Sequence, residues 1–353
     1  MGGTNLARTV VLESLKRGKS VVTANKALIA EHLDEIHSAV GDGGEESKFG
    51  YEAAVCGGIP IISILQSCYT GDIINEIGGI CNGTTNFMLC KMEEGAEYND
   101  VLKEAQELGF AEADPTADVE GHDVRAKIAI LAKLAFGKTV AVKDIPCMGI
   151  SQIASIDFEY ANLLGCTIKL IGTAARLSQY GEHDGDLSVY VAPKLVPKSH
   201  LLASASGAGN AVNVESVNMG TASYFGPGAG RFPTANSVVA DICRIASNNC
   251  PADPFPMHSN IAINNDYNSA FYIRIPYIDG LGIVRAVGQL AEKHGVSVNS
   301  ILQNPIDDKM VADCVVTTEE CKLSQVMALC EDLGNEDFAR ATPLCMPLVR
   351  MSQ

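Results

Sequence analysis

The segment that decides the fold reads Glu112-Ala-Asp-Pro-Thr-Ala-Asp-Val-Glu-Gly-His-Asp-Val-Arg-Ala-Lys127, and it crowds carboxylates around one lysine. The apolar residues Ile130, Leu131 and Leu134 continue it and predict a helix that ends near Gly137. Asp123 and Lys127 are four residues apart, so they share one face of that helix. A lysine held beside carboxylates can donate a proton or polarise a carbonyl group. The alternative is a capped helix with a solvated salt bridge, which structural ion pairs also produce.

The composition is that of a globular chain with an acidic surface. Its 353 residues predict two or three domains with ample core. The net charge of −16 argues against nucleic acid or an anionic membrane as a partner, because both need a basic surface. The twelve cysteines contain no CxxC pair, and we find no signal peptide and no apolar run near ~18 residues. We therefore expect free thiols in a reducing cytoplasm.

The first 50 residues are typical of the second half of an open α/β nucleotide-binding domain. A helix over Ala7 to Arg17, a short strand over Lys19 to Thr23 and helically spaced apolar residues from Ile29 to Val40 follow one another. A dinucleotide-binding fold normally opens with a strand, a GxGxxG turn and an acidic residue about 20 positions later. None of these features precedes the helix in this sequence. We therefore expect a truncated Rossmann-type domain.

Four motifs follow one another in a fixed order, namely Thr23-Ala-Asn-Lys26, Glu52-Ala-Ala-Val-Cys-Gly-Gly-Ile-Pro-Ile-Ile62, Gly79-Ile-Cys-Asn-Gly-Thr-Thr-Asn-Phe87 and the segment Ala111 to Lys127. Together they closely resemble the homoserine dehydrogenase family. The resemblance continues through Gly226-Pro-Gly-Ala-Gly230 to the C-terminal region. It implies interconversion of L-aspartate 4-semialdehyde and L-homoserine with NAD or NADP, a step in threonine, methionine and isoleucine biosynthesis. The choice between the two cofactors depends on a residue of the half-domain that is missing from the sequence.

The resemblance and the periodicity divide the chain into five regions and predict a combined α/β and α+β fold. The regions are a residual nucleotide-binding domain (1–50), a mixed-sheet catalytic and dimerisation domain (51–222), a segment that returns to the nucleotide domain (223–247), a linker (248–267) and a regulatory domain (268–353). The last region shows the βαββαβ order of a ferredoxin-like fold. Its Asp279-Gly-Leu-Gly282 turn favours an ACT domain, for which the resemblance implies threonine as the ligand.

The resemblance also assigns roles to charged residues. Lys127 matches the family lysine near the reacting oxygen, and Asp123 would hold its ammonium group. Lys26 matches a lysine near the nicotinamide and the substrate that acts in proton transfer. Glu112 would bind the substrate amino group, and Asp118 would orient Lys127 or a water molecule.

Smaller residues complete the implied substrate and cofactor sites. Gly83 and Thr84 would offer backbone and hydroxyl groups to the substrate. Pro60 would shape the nicotinamide pocket. Gly228 and Gly230 would let the backbone approach the cofactor closely.

A monovalent cation, Na⁺ or K⁺, is a further implied ligand. The family loop that offers oxygens to it is matched here by Glu52, Val55, Gly57 and Ile59. Carbonyl oxygens in a tight glycine loop suit a hard cation, although a simple tight turn explains the same sequence. Four histidines show no metal-binding spacing, and we expect them to be surface or loop residues: His32, His37, His122 and His183.

Two other functions remain open at this stage. One is a catalytically inactive amino-acid-sensing fragment without a working dinucleotide site, and the other is an aspartokinase-linked bifunctional enzyme. Intact Lys26, Glu112, Asp123 and Lys127 argue against the first, and the absence of kinase sequence argues against the second. The family further implies a homodimer or homotetramer.

Overall fold

The computed structural model describes residues 3–44, 46–177, 185–256, 258–306 and 308–349. All twelve cysteines lie within these ranges and none forms a disulfide, which confirms the predicted free thiols. Among the described residues, no helix is long and apolar enough to cross a bilayer.

The first unit contains two short strands that run parallel. Its elements are α1 (Asn5–Lys16), β1 (Val21–Val22), α2 (Lys26–Asp42), β2 (Phe49–Gly50) and α3 (Ile61–Ser67). Val21 of β1 pairs with Phe49 of β2 in parallel register, as expected for part of a Rossmann-type sheet. Ligands of open α/β sheets bind beyond the carboxyl ends of the strands. Lys26 and Glu52 lie a few residues beyond those two ends.

A five-stranded sheet forms the second unit, together with five helices. In chain order its elements are β3 (Ile74–Ile80), α4 (Gly83–Glu93), α5 (Tyr98–Glu107), α6 (Thr116–Val119), α7 (His122–Phe136), α8 (Ser155–Leu163), β4 (Cys166–Arg176), β5 (Leu187–Pro197), β6 (Gly209–Ser216) and β7 (Gly220–Pro227).

The strand order of this sheet is β5-β4-β3-β6-β7. The sequence predicted a mixed sheet, whereas all four strand pairs are antiparallel. β7 was not predicted, because it forms a half-exposed edge and therefore lacks the apolar run of a buried strand.

The helix α7 lies against this sheet and is buried on nearly all sides. Thirteen of its fifteen residues are buried, which is why its sequence is apolar all round. Gly172 of β4 permits this close packing, because a Cβ atom there would lie 2.8 Å from a methyl group of Val124. The helix ends at Gly137, whose φ of 71° is the left-handed conformation that glycine adopts readily. This packing fixes Asp123 and Lys127 in the first turns.

A long helix, α9 (Arg231–Ala246), connects the sheet back to the first unit. Ser237 Oγ donates a hydrogen bond of 2.6 Å to the Gly57 carbonyl, and Asp241 Oδ2 accepts one of 2.8 Å from the Glu52 amide. The following segment, 248–267, is anchored by the fully buried ring of Phe255 and by a 2.7 Å hydrogen bond from Tyr51 Oη to the Pro254 carbonyl.

The third unit has the ferredoxin-like βαββαβ topology. Its elements are β8 (Asn268–Ser269), β9 (Phe271–Tyr277), α10 (Ile283–Lys293), β10 (Val298–Gln303), β11 (Ala312–Thr318), β12 (Cys321–Lys322), α11 (Leu323–Gly334) and β13 (Leu344–Pro347). Four strands form an antiparallel sheet in the order β10-β11-β9-β13, while β8 and β12 pair separately.

The third unit packs on the central sheet through aromatic and charged side chains. The rings of Tyr190 in β5 and Tyr267 stack with their centroids 4.1 Å apart. Arg274 Nε donates a 2.8 Å hydrogen bond to Asp157 Oδ1 in α8, and Tyr272 Oη donates to the same oxygen at 2.8 Å. Because Asp157 is fully buried, this pair of donors satisfies a charge that would otherwise be costly.

Candidate active site

Asp123 holds the ammonium groups of two lysines that come from different units. Its Oδ2 lies 2.7 Å from Lys127 Nζ, one helical turn later, and its Oδ1 lies 2.8 Å from Lys26 Nζ. Lys26 is the first residue of α2, where the Asn25 side chain caps the helix by accepting from the Leu28 amide. The fold therefore brings together the two lysines and the aspartate that the resemblance named.

Burial and charge set the protonation of this cluster. Burial raises the pKa of Asp123, but the ammonium groups of Lys127 and Lys26 outweigh it and lower that pKa to about 2. Burial lowers the pKa of Lys127, but the Asp123 carboxylate outweighs it and raises that pKa to about 12. Lys127 is therefore a buried ammonium at neutral pH. Lys26, whose side chain is 41% exposed, connects the same carboxylate to solvent.

Asn82 is a member of the cluster that the sequence did not single out. Its Nδ2 donates hydrogen bonds of 2.9 Å to Asp123 and 2.7 Å to Asp118. Its Oδ1 accepts from the Thr85 amide at 2.8 Å and so caps α4. The Asn-Gly-Thr-Thr stretch was a usable signal, because an asparagine before a helix is a preferred cap.

The carbonyl of Cys81 gives Lys127 its second partner. Lys127 Nζ donates a 2.6 Å hydrogen bond to this oxygen, at the end of β3. Two of the three ammonium protons therefore have acceptors in Cys81 and Asp123. The third is available to a ligand oxygen.

The acidic loop is less uniform than its sequence implies. Asp118 contacts Asn82 rather than Lys127, and burial raises its pKa. Asp114 Oδ1 accepts from the Thr116 amide and hydroxyl, just before α6. Glu112 is exposed on this loop, and its main-chain carbonyl accepts a 3.1 Å hydrogen bond from Gln106 Nε2.

Gly83 and Thr84 lie in the first turn of α4 rather than in a loop. A Cβ atom at Gly83 would lie 2.7 Å from the Ala208 carbonyl oxygen, so only glycine fits this approach. Thr84 Oγ1 donates a 2.6 Å hydrogen bond to the Phe110 carbonyl, two residues before Glu112. The Thr84 hydroxyl oxygen can still accept a hydrogen bond from a ligand.

The loop from Val55 to Pro60 lies beside the ion cluster. Cys56 has a φ of 49°, which is rare for a residue with a side chain and is often found at functional sites. A hydrogen bond with Cys81 lowers the pKa of the buried Cys56 thiol against the effect of burial, and the nearby Lys127 ammonium lowers it further. Pro60 directly precedes α3 and is exposed.

Glu52 is occupied as a helix cap. Its Oε1 accepts from the Ile62 amide and its Oε2 from the Ser63 amide, both at 2.9 Å. Both carboxylate oxygens are thus turned towards α3, so this side chain is already occupied within the protein. The Gly57 carbonyl accepts from Ser237 and the Ile59 carbonyl from the Ile61 amide, which leaves each a second lone pair.

The glycines before α9 pack closely on this loop. A Cβ atom at Gly57 would lie 2.9 Å from the Gly228 carbonyl oxygen, and one at Gly228 would lie 2.0 Å from Asn210 Nδ2. Gly230 has a φ of 121°, and no side chain caps the amide groups that open the sixteen-residue α9. Amide groups at a helix start can bind phosphate, and the first turn of α9 offers those of Arg231 and Phe232, because Pro233 has no amide hydrogen.

The histidines that the structure describes do not enter this site. His122 is exposed although it neighbours Asp123. His32 bonds to Glu35 at 2.8 Å. His183 lies outside the described residues. His37 has unexpected neighbours, Asp253 and His258.

Chemically, the cluster offers a buried ammonium with one proton not taken up by Cys81 or Asp123, and a half-exposed ammonium beside it. Such a pair stabilises negative charge that develops on a carbonyl oxygen. Among the described residues of this cluster there is no neutral base, because Lys26 and Lys127 both form ion pairs with Asp123.

Comparisons with known proteins agree with this chemistry. The family model described as Homoserine dehydrogenase matches residues 60–243. A homoserine dehydrogenase of Synechocystis sp. is 39% identical, over 97% of this chain and 81% of the relative. The crystal structure of a homoserine dehydrogenase from Thiobacillus denitrificans superposes with a TM-score of 0.91 at 34% identity, covering 99% of this chain and 80% of the other. A hyperthermophilic archaeal homoserine dehydrogenase in complex with NADPH gives a TM-score of 0.59 at 27% identity, over 70% of each chain.

Proposed function

The chain belongs to the homoserine dehydrogenase family, and we propose that it interconverts L-aspartate 4-semialdehyde and L-homoserine through the cluster of Lys26, Asp123 and Lys127. The observation that carries this proposal is the buried carboxylate that positions two ammonium groups from different units. Charged groups that are held in fixed positions and shift each other's pKa values are concentrated in active sites, where they stabilise charge that develops during the reaction.

Lys127 acts on the aldehyde oxygen. Reduction of the aldehyde places negative charge on this oxygen, and the third proton of the Lys127 ammonium is directed at it. With a pKa of about 12 the ammonium stays charged at neutral pH, so it stabilises the developing alkoxide before any proton moves. Asp123 and the Cys81 carbonyl hold the other two protons and so fix its position.

Lys26 restores the proton. Its side chain shares Asp123 with Lys127 but is 41% exposed, so it exchanges protons with solvent. The alkoxide takes a proton from the ammonium pair, and the pair regains it through Lys26. In the reverse direction Lys26 first gives a proton to solvent, and the resulting neutral amine then receives the homoserine hydroxyl proton through Lys127.

NAD or NADP, the cofactors of the family, would supply or accept the hydride. Lys26, Pro60, Gly228 and Gly230 are the residues that we assign to the nicotinamide end. Their glycines allow main-chain amides to approach it, and Lys26 keeps positive charge beside it.

The substrate has an ammonium and a carboxylate that must be gripped so that the aldehyde meets Lys127. Glu112 is assigned to the ammonium group, because it is an exposed carboxylate on the loop that leads to Asp118. Gly83 and Thr84 are assigned to the carboxylate end through the first turn of α4. Asp118 acts through Asn82, which it shares with Asp123.

A monovalent cation, Na⁺ or K⁺, is assigned to the main-chain oxygens of Glu52, Val55, Gly57 and Ile59. The positive φ of Cys56 supports this assignment, because it marks a tightly curled loop, and carbonyl oxygens of such a loop suit a hard cation. The test is activity in K⁺, Na⁺ and tetramethylammonium buffers of equal ionic strength. A rate that does not differ between these buffers would remove the cation from the proposal.

Regulation and assembly belong to the same proposal. We assign threonine to the ferredoxin-like third unit as an ACT domain, and we expect a homodimer or homotetramer in the cytoplasm. The buried Arg274–Asp157 contact supports coupling, since it joins that unit to the catalytic helices. Light scattering tests the oligomeric state. Titration with threonine, followed both as binding and as a change in reaction rate, tests the regulatory assignment.

The decisive experiment for function measures NADPH oxidation with aspartate semialdehyde and NADP⁺ reduction with homoserine, with product analysis. We expect turnover in both directions. If neither reaction occurs while threonine still binds by calorimetry, the chain is an inactive amino-acid sensor and the catalytic assignments are wrong.

A further inference from the structure

Two histidines and a carboxylate meet where the 248–267 segment crosses α2, away from the ion cluster. His37 Nε2 lies 3.0 Å from Asp253 Oδ1, and His258 Nε2 lies 3.8 Å from Asp253 Oδ2. One ligand atom of each residue lies within 4.8 Å of those of the other two. His37 comes from the first unit, whereas the other two residues come from the segment that leads to the third unit.

We propose that His37, Asp253 and His258 bind a divalent transition-metal ion of the zinc class. Zinc binds imidazole nitrogen at about 2.0–2.1 Å and carboxylate oxygen at about 2.0–2.2 Å, so ligand atoms in a tetrahedral site lie about 3.4 Å apart. The separations of 3.0 Å from His37 to Asp253 Oδ1 and 3.8 Å from His258 to Asp253 Oδ2 lie on either side of that value, so each carboxylate oxygen faces one of the two imidazoles. Imidazole with one carboxylate suits zinc, whereas magnesium and calcium prefer oxygen ligands.

The backbone around Asp253 is already held in place. Asp253 Oδ1 accepts a 2.8 Å hydrogen bond from the Phe255 amide, and the Phe255 ring is fully buried. Tyr51 Oη and Gln66 Nε2 both donate to the Pro254 carbonyl, at 2.7 and 2.9 Å. The Asp253 carboxylate therefore already faces α2, and the 248–267 segment does not need to fold when a metal binds.

His258 is the ligand that must adjust. The rings of His37 and His258 stack 5.0 Å apart at an interplanar angle of 22°, so their lone pairs do not yet converge. The side chain of His258 is 56% exposed, and a rotation of its ring costs few contacts. We expect His37 and Asp253 to form the fixed part of the site, and His258 to close it.

Lys133 opposes metal binding. Its Nζ lies 3.4 Å from His258 Nδ1 and donates to the Gly137 carbonyl at 3.1 Å. Ligation through Nε2 leaves a proton on Nδ1, which cannot accept from the ammonium, so this contact has to open.

The bound ion would clip the 248–267 segment to α2. It would thus join the first unit to the segment that leads into the third unit, without touching Lys26 or Asp123.

The test strips metal from the full chain with a chelator and titrates Co²⁺, followed by Zn²⁺ competition. We expect one equivalent of Co²⁺ to give visible d–d bands without the near-ultraviolet charge-transfer band of a cobalt thiolate, which separates this site from the cysteines. His258→Ala should weaken binding at least about tenfold. His32→Ala, on the same helix, is the matched control and should leave binding unchanged.

A second variant tests the geometry without removing a ligand. Lys133→Met removes the opposing ammonium, so we expect it to tighten Co²⁺ binding. The proposal is overturned if wild type gives no d–d bands, if a thiolate band accompanies them, or if His258→Ala and His32→Ala bind alike.

Discussion

Replacement of Asp123 by asparagine tests the electrostatic account of the cluster most sharply. The carboxylate lies 2.7 Å from Lys127 Nζ and 2.8 Å from Lys26 Nζ, and the Lys127 side chain is only 10% exposed. Lowering the Asp123 pKa from 3.8 to about 2 corresponds to about 2 kcal/mol of stability, and the raised Lys127 pKa describes the same interaction from the other partner. Asparagine also leaves the buried Lys127 ammonium without its counter-charge. Breaking a buried pair in this way costs about 3–5 kcal/mol.

The assay is urea denaturation of wild type and Asp123→Asn at about pH 7 and about pH 10. In wild type, the depressed Asp123 pKa gives stability that is present above pH 3.8 and is lost as pH falls towards about 2. In the variant, burial lowers the Lys127 pKa because no carboxylate opposes it. The free-energy cost of burying the unpaired ammonium therefore shrinks as pH rises and the lysine loses its proton.

The control is Glu13→Gln, which removes an exposed ion pair with Arg17 and should leave the denaturation midpoint near that of wild type. A loss below about 1 kcal/mol for Asp123→Asn, or a loss that is equal at both pH values, would refute this account.

Three further substitutions test other parts of the molecule. Glu112→Gln should raise the KM for aspartate semialdehyde with little change in kcat, because it weakens ground-state binding of an ammonium group; an unchanged KM in steady-state kinetics would contradict this. Gly228→Ala forces a Cβ atom to 2.0 Å from Asn210 Nδ2, so we expect a higher KM for NADPH, whereas wild-type kinetics would show that the backbone is not close to the cofactor. Arg274→Met leaves the buried Asp157 without its cation and should destabilise the chain by about 3–5 kcal/mol in urea, and a shift near zero would mean that the pair is not needed.

The sequence predicted the helices of this fold well, because their signals are local. Apolar spacing and glycine stops located α1 and the end of α7 to within a few residues. The edge strand β7 was missed, since a half-exposed strand carries no continuous apolar run. The antiparallel pairing of the central sheet depends on contacts between strands far apart in sequence, which a local pattern does not encode.

The candidate site was predictable for a different reason. Asp123 and Lys127 share a helix face, so their contact follows from spacing alone. The contact of Lys26 with Asp123 spans almost a hundred residues, and only the family resemblance brought the two together. Asn82 and the turn of Glu52 towards α3 were missed, because side-chain direction depends on packing. The grouping of His37 with His258 has no sequence spacing to reveal it.

The central claim is that the Lys127 ammonium stabilises the reacting oxygen, and the most direct measurement is the kcat/KM for aspartate semialdehyde reduction by Lys127→Met. Lys103→Met, which alters an exposed lysine on α5, is the control, and thermal unfolding checks that both variants fold. We expect Lys127→Met to lose about a hundredfold to ten-thousandfold in kcat/KM while the control keeps wild-type activity. A folded Lys127→Met variant that retains wild-type kcat/KM would contradict the account.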